Sequence, residues 1–408
     1  MIDDRFRALK NTASPDLWDD IVHREPRAAP PPSRAARYVA AAVALALAAG
    51  GFAVLVRAFG GREAPPRPAT TAPAPVDPRV AQSISTGWTN AAVTAFGSLW
   101  VTESANDGTF GGSLLRLDPE TGGEVARIPV ETVPGWESGG EGLAVGDDSI
   151  WIGGAVEGPT GPRASLVRVD PLLNEAVETI PVGGDHVADV EVDEEGIWAS
   201  VFAGNETELV TELVRIDPAT RDVVARVPLA TRYARNVLLA GGAAWVQERI
   251  TGGGAVGGSV LARIDPATNE ITDRIDFGGS PAKFSVFEDD IYALTNDGFV
   301  RIDTATAAIA AEPVPAGEDP VSGGIGENVS SGSGANVAVG AGGLWFIARD
   351  HGDLTVSRFV PDTGEIDVSV ELPEGATPIA MAVTDDSIWV VDYQQQLTRI
   401  ALHQGPDA

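Results

Sequence analysis

Two histidines, His186 and His351, lie inside the long C-terminal part of this sequence, each close to a charged group: Asp185 precedes the first, and Arg349 lies two residues before the second. An imidazole so placed is the commonest side chain for general base work near neutral pH. Trp136, Arg232, Tyr233, Arg235, Glu248, Arg249, Lys283, Asp392 and Tyr393 complete the set of side chains that could grip a small molecule. Its cations stand out, because residues 80–408 carry 17 basic against 50 acidic side chains. Such an excess repels phosphate, so nucleic acid is not an expected partner.

Catalysis has little else to work with. There is no HExxH pair, GxSxG elbow or phosphate-binding glycine loop. With no cysteine in 408 residues, disulfides, thiolate metal sites and cysteine nucleophiles are excluded. The acidic pairs Asp147–Asp148, Glu288–Asp290 and Asp385–Asp386 are the places where Mg²⁺ or Ca²⁺ would sit if a cofactor were used. Lone pairs fall short of the roughly six to eight oxygens calcium takes, so no cofactor is expected and these read as solubilising turns.

The scaffold that must position these residues is repetitive. An aromatic marker recurs at Trp100, Trp151, Trp198, Trp245, Tyr292, Trp345 and Trp389, at spacings of 51, 47, 47, 47, 53 and 44. An arginine keeps step with it at positions 116, 168, 215, 263, 301, 358 and 399, mostly inside strings such as LVRIDPAT and LARIDPAT. Seven units of four short alternating strands, with Asp-Pro and Thr-Gly turns, predict an all-β fold: a seven-bladed β-propeller over residues 80–402. The seventh unit stops after its third strand, and residues 79–86 (RVAQSIST) resemble the missing fourth, so an N-terminal strand is expected to close the ring. The periodic arginines and tryptophans read as packing elements between blades.

Strings such as GLWFI and SRFVPDTGEI (343–366), and SIWVVDYQQQLTRI (387–400), resemble the blades of virginiamycin B lyase-like and YVTN-type surface propellers. That resemblance implies the propeller architecture. It also implies, for the lyases, a histidine base with glutamates holding a divalent ion. His351 stands in a similar loop, ARDHGDL, but the adjoining loops lack matching glutamates.

Alternate connections of an antiparallel blade emerge on opposite faces. The turns from first to second and from third to fourth strand are short. The other connections, read as residues 102–113, 153–165, 200–211, 247–259 and 315–336, are long and share the second face, where all the candidate ligand-binding residues above are placed.

Ahead of the repeats lies a different kind of chain. Tyr38–Val56 is an uncharged run of 19 residues, about 28 Å as a helix and close to the ~30 Å bilayer core, and is read as one transmembrane helix, an uncleaved signal-anchor. Residues 1–37 form an arm on its cytoplasmic side, in which Leu17, Trp18, Ile21 and Val22 outline a short amphipathic helix that could dock a cytoplasmic partner through residues 14–23. Residues 57–79 are a Pro/Ala/Thr-rich spacer and residues 403–408 a tail. The expected protein is a single-pass membrane protein with its propeller outside the cytoplasm, acting as a noncatalytic binding, sensor or interaction module for an extracytoplasmic protein or small molecule. The alternative is a metal-assisted lyase or hydrolase of a small exported molecule.

Overall fold

A computed structural model describes residues 76–404 apart from 105–110, 132–141, 160, 195, 205–208, 232, 250–258, 278–282, 296, 311, 317–336, 351–352 and 393–394. Residues 72–408 form a compact unit of their own. The arm, the apolar run and nearly all of the spacer lie outside the described residues. No helix among the described residues is long and apolar enough to cross a membrane.

The chain begins with β1 (Val76–Ser85). Blade 1 is β2 (Trp88–Ala95), β3 (Ser98–Ser104), β4 (Gly112–Leu117) and β5 (Glu124–Val130). Blade 2 is β6 (Leu143–Gly146), β7 (Ser149–Gly158), β8 (Gly161–Asp170) and β9 (Glu175–Pro181). Blade 3 is β10 (His186–Val192), β11 (Ile197–Ala203), β12 (Val210–Ile216) and β13 (Val223–Pro228). Blade 4 is β14 (Tyr233–Ala240), β15 (Ala243–Arg249), β16 (Ser259–Asp265) and β17 (Glu270–Asp276). Blade 5 is β18 (Lys283–Phe287), β19 (Asp290–Thr295), β20 (Gly298–Asp303) and a two-residue β21 (Ala308–Ile309). Blade 6 is β22 (Val337–Gly340), β23 (Gly343–Asp350), β24 (Asp353–Val360) and β25 (Glu365–Glu371). Blade 7 is β26 (Pro378–Val383), β27 (Ser387–Asp392) and β28 (Gln396–Gln404), with β1 as its outer strand.

The seven first strands touch in cyclic order, with β26 meeting β2, so the ring is closed. The propeller expected from the marker spacing is therefore the fold, and the closing strand is β1. Its bounds are wider than expected: Val76–Arg79, read as spacer, pair with β28, and His403, read as tail, lies opposite Asp77.

Each blade seam is filled by one apolar cluster, and the marker aromatics sit in them. Every marker lies directly across the ladder from its arginine, from Trp100 opposite Arg116 to Trp389 opposite Arg399. In blades 1, 3, 4 and 6 the guanidinium stacks on that ring, with Cζ 5.1–5.8 Å from the centroid, a cation–π contact that lets a charge approach the core. Arg116 also donates to the Pro171 carbonyl and to Asn174 Oδ1 of the next blade, so the arginines tie blade to blade. Opposite or beside each arginine rung the outer strand slips register by one residue, in blades 1, 2, 3, 4 and 6 and again where β1 meets β28. Such bulges twist an edge away from pairing with a second sheet.

The turns follow their residues. Asp147 and Asp148 both have positive φ, 51° and 52°, as do Gly241 and Gly242, the geometry that matches hairpin twist. In the third-to-outer turns the aspartate of the Arg-x-Asp string bonds its own backbone: Asp118 Oδ1 accepts from the amides of Glu120 and Thr121, and Asp217 Oδ1 from those of Ala219 and Thr220. Those donors hold both carboxyls below the usual aspartate range, backbone bonding being the first cause in each.

One expected loop is absent. Residues 153–165 are mostly strand, since β7 and β8 run on as a long hairpin that pairs Gly158 with Gly161. Gly153 serves packing: a Cβ there would lie 2.6 Å from Val187 Cγ1 of blade 3. Three other connections on that face are shorter than expected, at 105–111, 204–209 and 250–258, and the one expected at 315–336 is longer, from 310 to 336.

Candidate functional site

The inner strands of blades 2, 6 and 7 are apolar, whereas β10 of blade 3 carries three ionisable residues. Its sequence HVADVEV places Asp189 opposite Ser200 and His186 opposite Phe202. Because directly paired residues share a face, His186, Asp189, Glu191, Trp198, Ser200 and Phe202 all look toward blade 4. Blade 4 answers with Arg235 and Asn236, placed where β14 slips register against β15. Both are 3% exposed, and Asn236 takes a left-handed φ of 49°, which asparagine tolerates better than most residues. The seam between blades 3 and 4 thus carries polar groups at the inner end of its apolar cluster.

Asp189 is fully buried and ties the blades together: Oδ1 accepts the Val190 amide at 3.0 Å, and Oδ2 the Val237 amide of blade 4 at 2.8 Å. The Arg235 guanidinium lies over the Phe202 ring, 5.8 Å from its centroid. Three side-chain atoms on the strands that meet at this seam, His186 Nε2, Ser200 Oγ and Asn236 Oδ1, are sealed from solvent and make no hydrogen bond. Elsewhere among the described residues Thr89 Oγ1 and Arg263 Nε share that condition. Each such atom costs about 1–3 kcal/mol if nothing meets it.

Burial pushes the His186 imidazole down to about 4, and the Arg235 charge adds to the effect, so His186 is neutral at physiological pH. Glu191, partly buried further along the same strand, is pushed up to about 8 by desolvation first and then by the Asp189 carboxylate. The two act on stability with opposite signs. Unfolding lets His186 take a proton below its ordinary 6.5, so its contribution is lost as pH falls toward about 4. The folded state holds the Glu191 proton that the unfolded chain releases above about 4.5, so stability declines as pH rises from there to about 8. Between pH 6.5 and 8.5 only the second slope operates. Thermal unfolding there should show a falling midpoint in the wild type and a flatter profile for Glu191→Gln, with the variant the more stable at pH 8. Parallel profiles would contradict the shift.

Of the residues read from sequence, His186 and Arg235 are brought together. Glu248 faces the same seam, but its carboxylate accepts the Ala230 amide and Arg274 Nε, both at 2.8 Å, and so clasps the loop entering β14. Asp392 does the same in blade 7, holding the amide and hydroxyl of Thr377, and Glu103 in blade 1, holding the Gly87 amide at 2.8 Å. These acids all stand three residues beyond the marker tryptophan of their blade. Asp185 is exposed and accepts the Gly204 amide at 2.7 Å. Lys283, partly buried on the inner strand of blade 5, and exposed Arg349, near the end of β23, belong to other blades. Tyr233 and Arg249 pair with each other through the backbone of β14 and β15. Trp136, Arg232, His351 and Tyr393 lie outside the described residues.

The acidic pairs considered for Mg²⁺ or Ca²⁺ are engaged as turn residues: Asp147 accepts Arg221 Nη2 at 2.8 Å, and Asp290 pairs with Arg301 Nη2 at 2.7 Å. Among the described residues no group of three or more His, Asp or Glu is arranged to hold a metal. Sequence reading missed Asp189, Glu191, Ser200 and Asn236. The available signal was polar residues on an inner strand where sister blades carry Ala and Val.

These features define the class: a seven-bladed β-propeller with a polar seam between two of its blades. Its fold is similar to that of Kuenenia stuttgartiensis hydrazine synthase, with a TM-score of 0.52 and 12% identity over 80% of this chain and 98% of that one. It is also similar to the Myceliophteria thermophila Cps50 (Swd1) β-propeller domain, with a TM-score of 0.54 and 11% identity over 80% and 100% of the two chains. At such identities the likeness concerns the fold alone. No family model and no curated protein matches the chain.

Proposed function

We propose that the chain is a membrane-tethered propeller, displayed outside the cytoplasm, that acts as a noncatalytic binding module and takes a small polar ligand at the seam between blades 3 and 4. The observation that carries the binding site is the trio of sealed, unbonded atoms, His186 Nε2, Ser200 Oγ and Asn236 Oδ1, on the adjoining strands of blades 3 and 4. A molecule that both gives and accepts hydrogen bonds would meet them. A noncatalytic role fits Asp189, whose two oxygens accept backbone amides from blades 3 and 4 and so join the blades. Tethering is supported by the 19-residue apolar run. The resemblance to lyase-like and surface propellers contributes the blade pattern only.

Two measurements test this reading. Protease added to intact, wall-stripped cells should release the propeller and spare residues 1–37, whereas complete protection of residues 76–404 would place it in the cytoplasm. A thermal-shift panel of sugars, polyols and amino acids should then yield a ligand that stabilises the wild type by about 2.7 kcal/mol at hundredfold excess over Kd. Ser200→Ala and Asn236→Ala should lose that shift, and a shift unchanged in both would move the site elsewhere.

A further inference from the structure

The two faces of the ring differ in what they expose. Among the described residues with large, exposed hydrophobic side chains, only Val210 lies at the long-loop end of its strand. Apart from Val80, in the middle of β1, the others, among them Phe96, Val125, Leu172, Leu173 and Val177, lie at the short-turn end. Leu172 and Leu173 are the extreme, at 89% and 60% exposed.

These two leucines occupy the third-to-outer turn of blade 2, where the equivalent pairs are Glu120–Thr121, Ala219–Thr220, Ala267–Thr268 and Ala305–Thr306. The turn is held firmly. Asp170 Oδ1 accepts the amides of Leu172 and Leu173 at 2.8 and 3.0 Å, and Arg116 of blade 1 grips the Pro171 carbonyl at 2.8 Å and Asn174 Oδ1 at 2.9 Å. Two leucines are thus presented on a rigid mount, and folding gains nothing from exposing them.

The same face is where the chain enters the ring. β1 begins at Val76 opposite Gln404, the end of β28 remote from its turn with β27. Only 19 residues, 57–75, separate the apolar run from that point. Fully extended they reach about 60 Å, and as a coil about 25 Å, which keeps this face within reach of a bilayer holding the run.

We propose that the short-turn face around blades 1 and 2 rests on the lipid surface, with Leu172 and Leu173 inserted at the headgroup boundary. This rests on the membrane-tethered reading above. Two leucines bind weakly alone, and tethering raises their effective concentration enough to matter. The acidic turns on the same face, Asp147–Asp148 among them, favour neutral over anionic lipid.

The chain has no cysteine, so one introduced thiol reports one site. The full-length protein is reconstituted in phosphatidylcholine vesicles after Leu173→Cys or Val210→Cys, each labelled with an environment-sensitive fluorophore. Carbonate extraction reads the tether, and quenching by doxyl-labelled phosphatidylcholine reads the docking. The expected result is carbonate-resistant protein, at least twofold quenching at position 173, none at 210, and loss of quenching at 173 when Leu172→Glu is added. Carbonate-resistant protein without quenching at 173 overturns the docking alone and assigns the turn to a protein partner. Protein extracted by carbonate overturns the tether, and the inference with it.

Discussion

A chain of residues 87–408, lacking β1, should lose most of the stability of the 76–408 chain and aggregate. β1 pairs with β28 through nine residue pairs, from Val76 with Gln404 to Ser85 with Gln396. Gln82 Nε2 also donates to the Thr121 carbonyl of blade 1 at 3.0 Å, and Ile84 packs on the cluster between blades 7 and 1. Each ladder bond contributes about 0.5–1.5 kcal/mol net, so their sum rivals the ~5–15 kcal/mol of a typical folded domain. Removing the strand also bares β28, an apolar strand with Leu397, Ile400 and Leu402, as an open edge. Thermal unfolding and size-exclusion chromatography of the two chains check this. Equal melting temperatures would mean that the ring does not depend on its N-terminal closure.

Trp389→Ala should be the most damaging single substitution at the same seam, by about 3–5 kcal/mol in urea unfolding. The ring is fully buried among Leu99, Val101, Leu117 and Ala380. Its Nε1 donates to the Pro119 carbonyl of blade 1 at 3.0 Å, whereas Trp100, Trp151, Trp245 and Trp345 bond a carbonyl five residues earlier in their own blade. Gly122 marks how closely blade 1 approaches: a Cβ there would stand 2.7 Å from Trp389 Cη2. Trp389→Phe should lose less, since it keeps most of the area and gives up the bond across the seam. A loss under about 1 kcal/mol for the alanine variant would show that this seam is held by other means.

The fold was legible because its signals repeat. The marker and its arginine recur often enough to set both blade number and strand order, and they turn out to be cross-strand partners in all seven blades. Glycine was misread where it sits in strand: Gly153, Gly154, Gly158 and Gly161 look like a loop and belong to one hairpin, in which Gly153 lies against Val187 of blade 3 while Gly161, at a φ of 127°, makes the turn. The site was legible only in outline. His186 and Arg235 could be named from their types, but Asp189, Ser200 and Asn236 owe their roles to a contact between neighbouring blades, across a register slip that no local pattern announces. Glu248 and Asp392 read as ligand-binding acids in the linear sequence, and in the fold each also accepts a backbone amide from the loop entering its blade.

The antiparallel pairing of β1 with β28 also makes the ring's response to force depend on direction. A pull on Val76 along the strand axis loads all nine pairs side by side, so they must shear together before the strand can move. A pull across the axis loads the Val76–Gln404 pair alone, then each next pair in turn, and opens the seam like a zip at far lower force. The propeller is therefore stiff toward tension delivered along its outermost strand and yielding toward tension from the side.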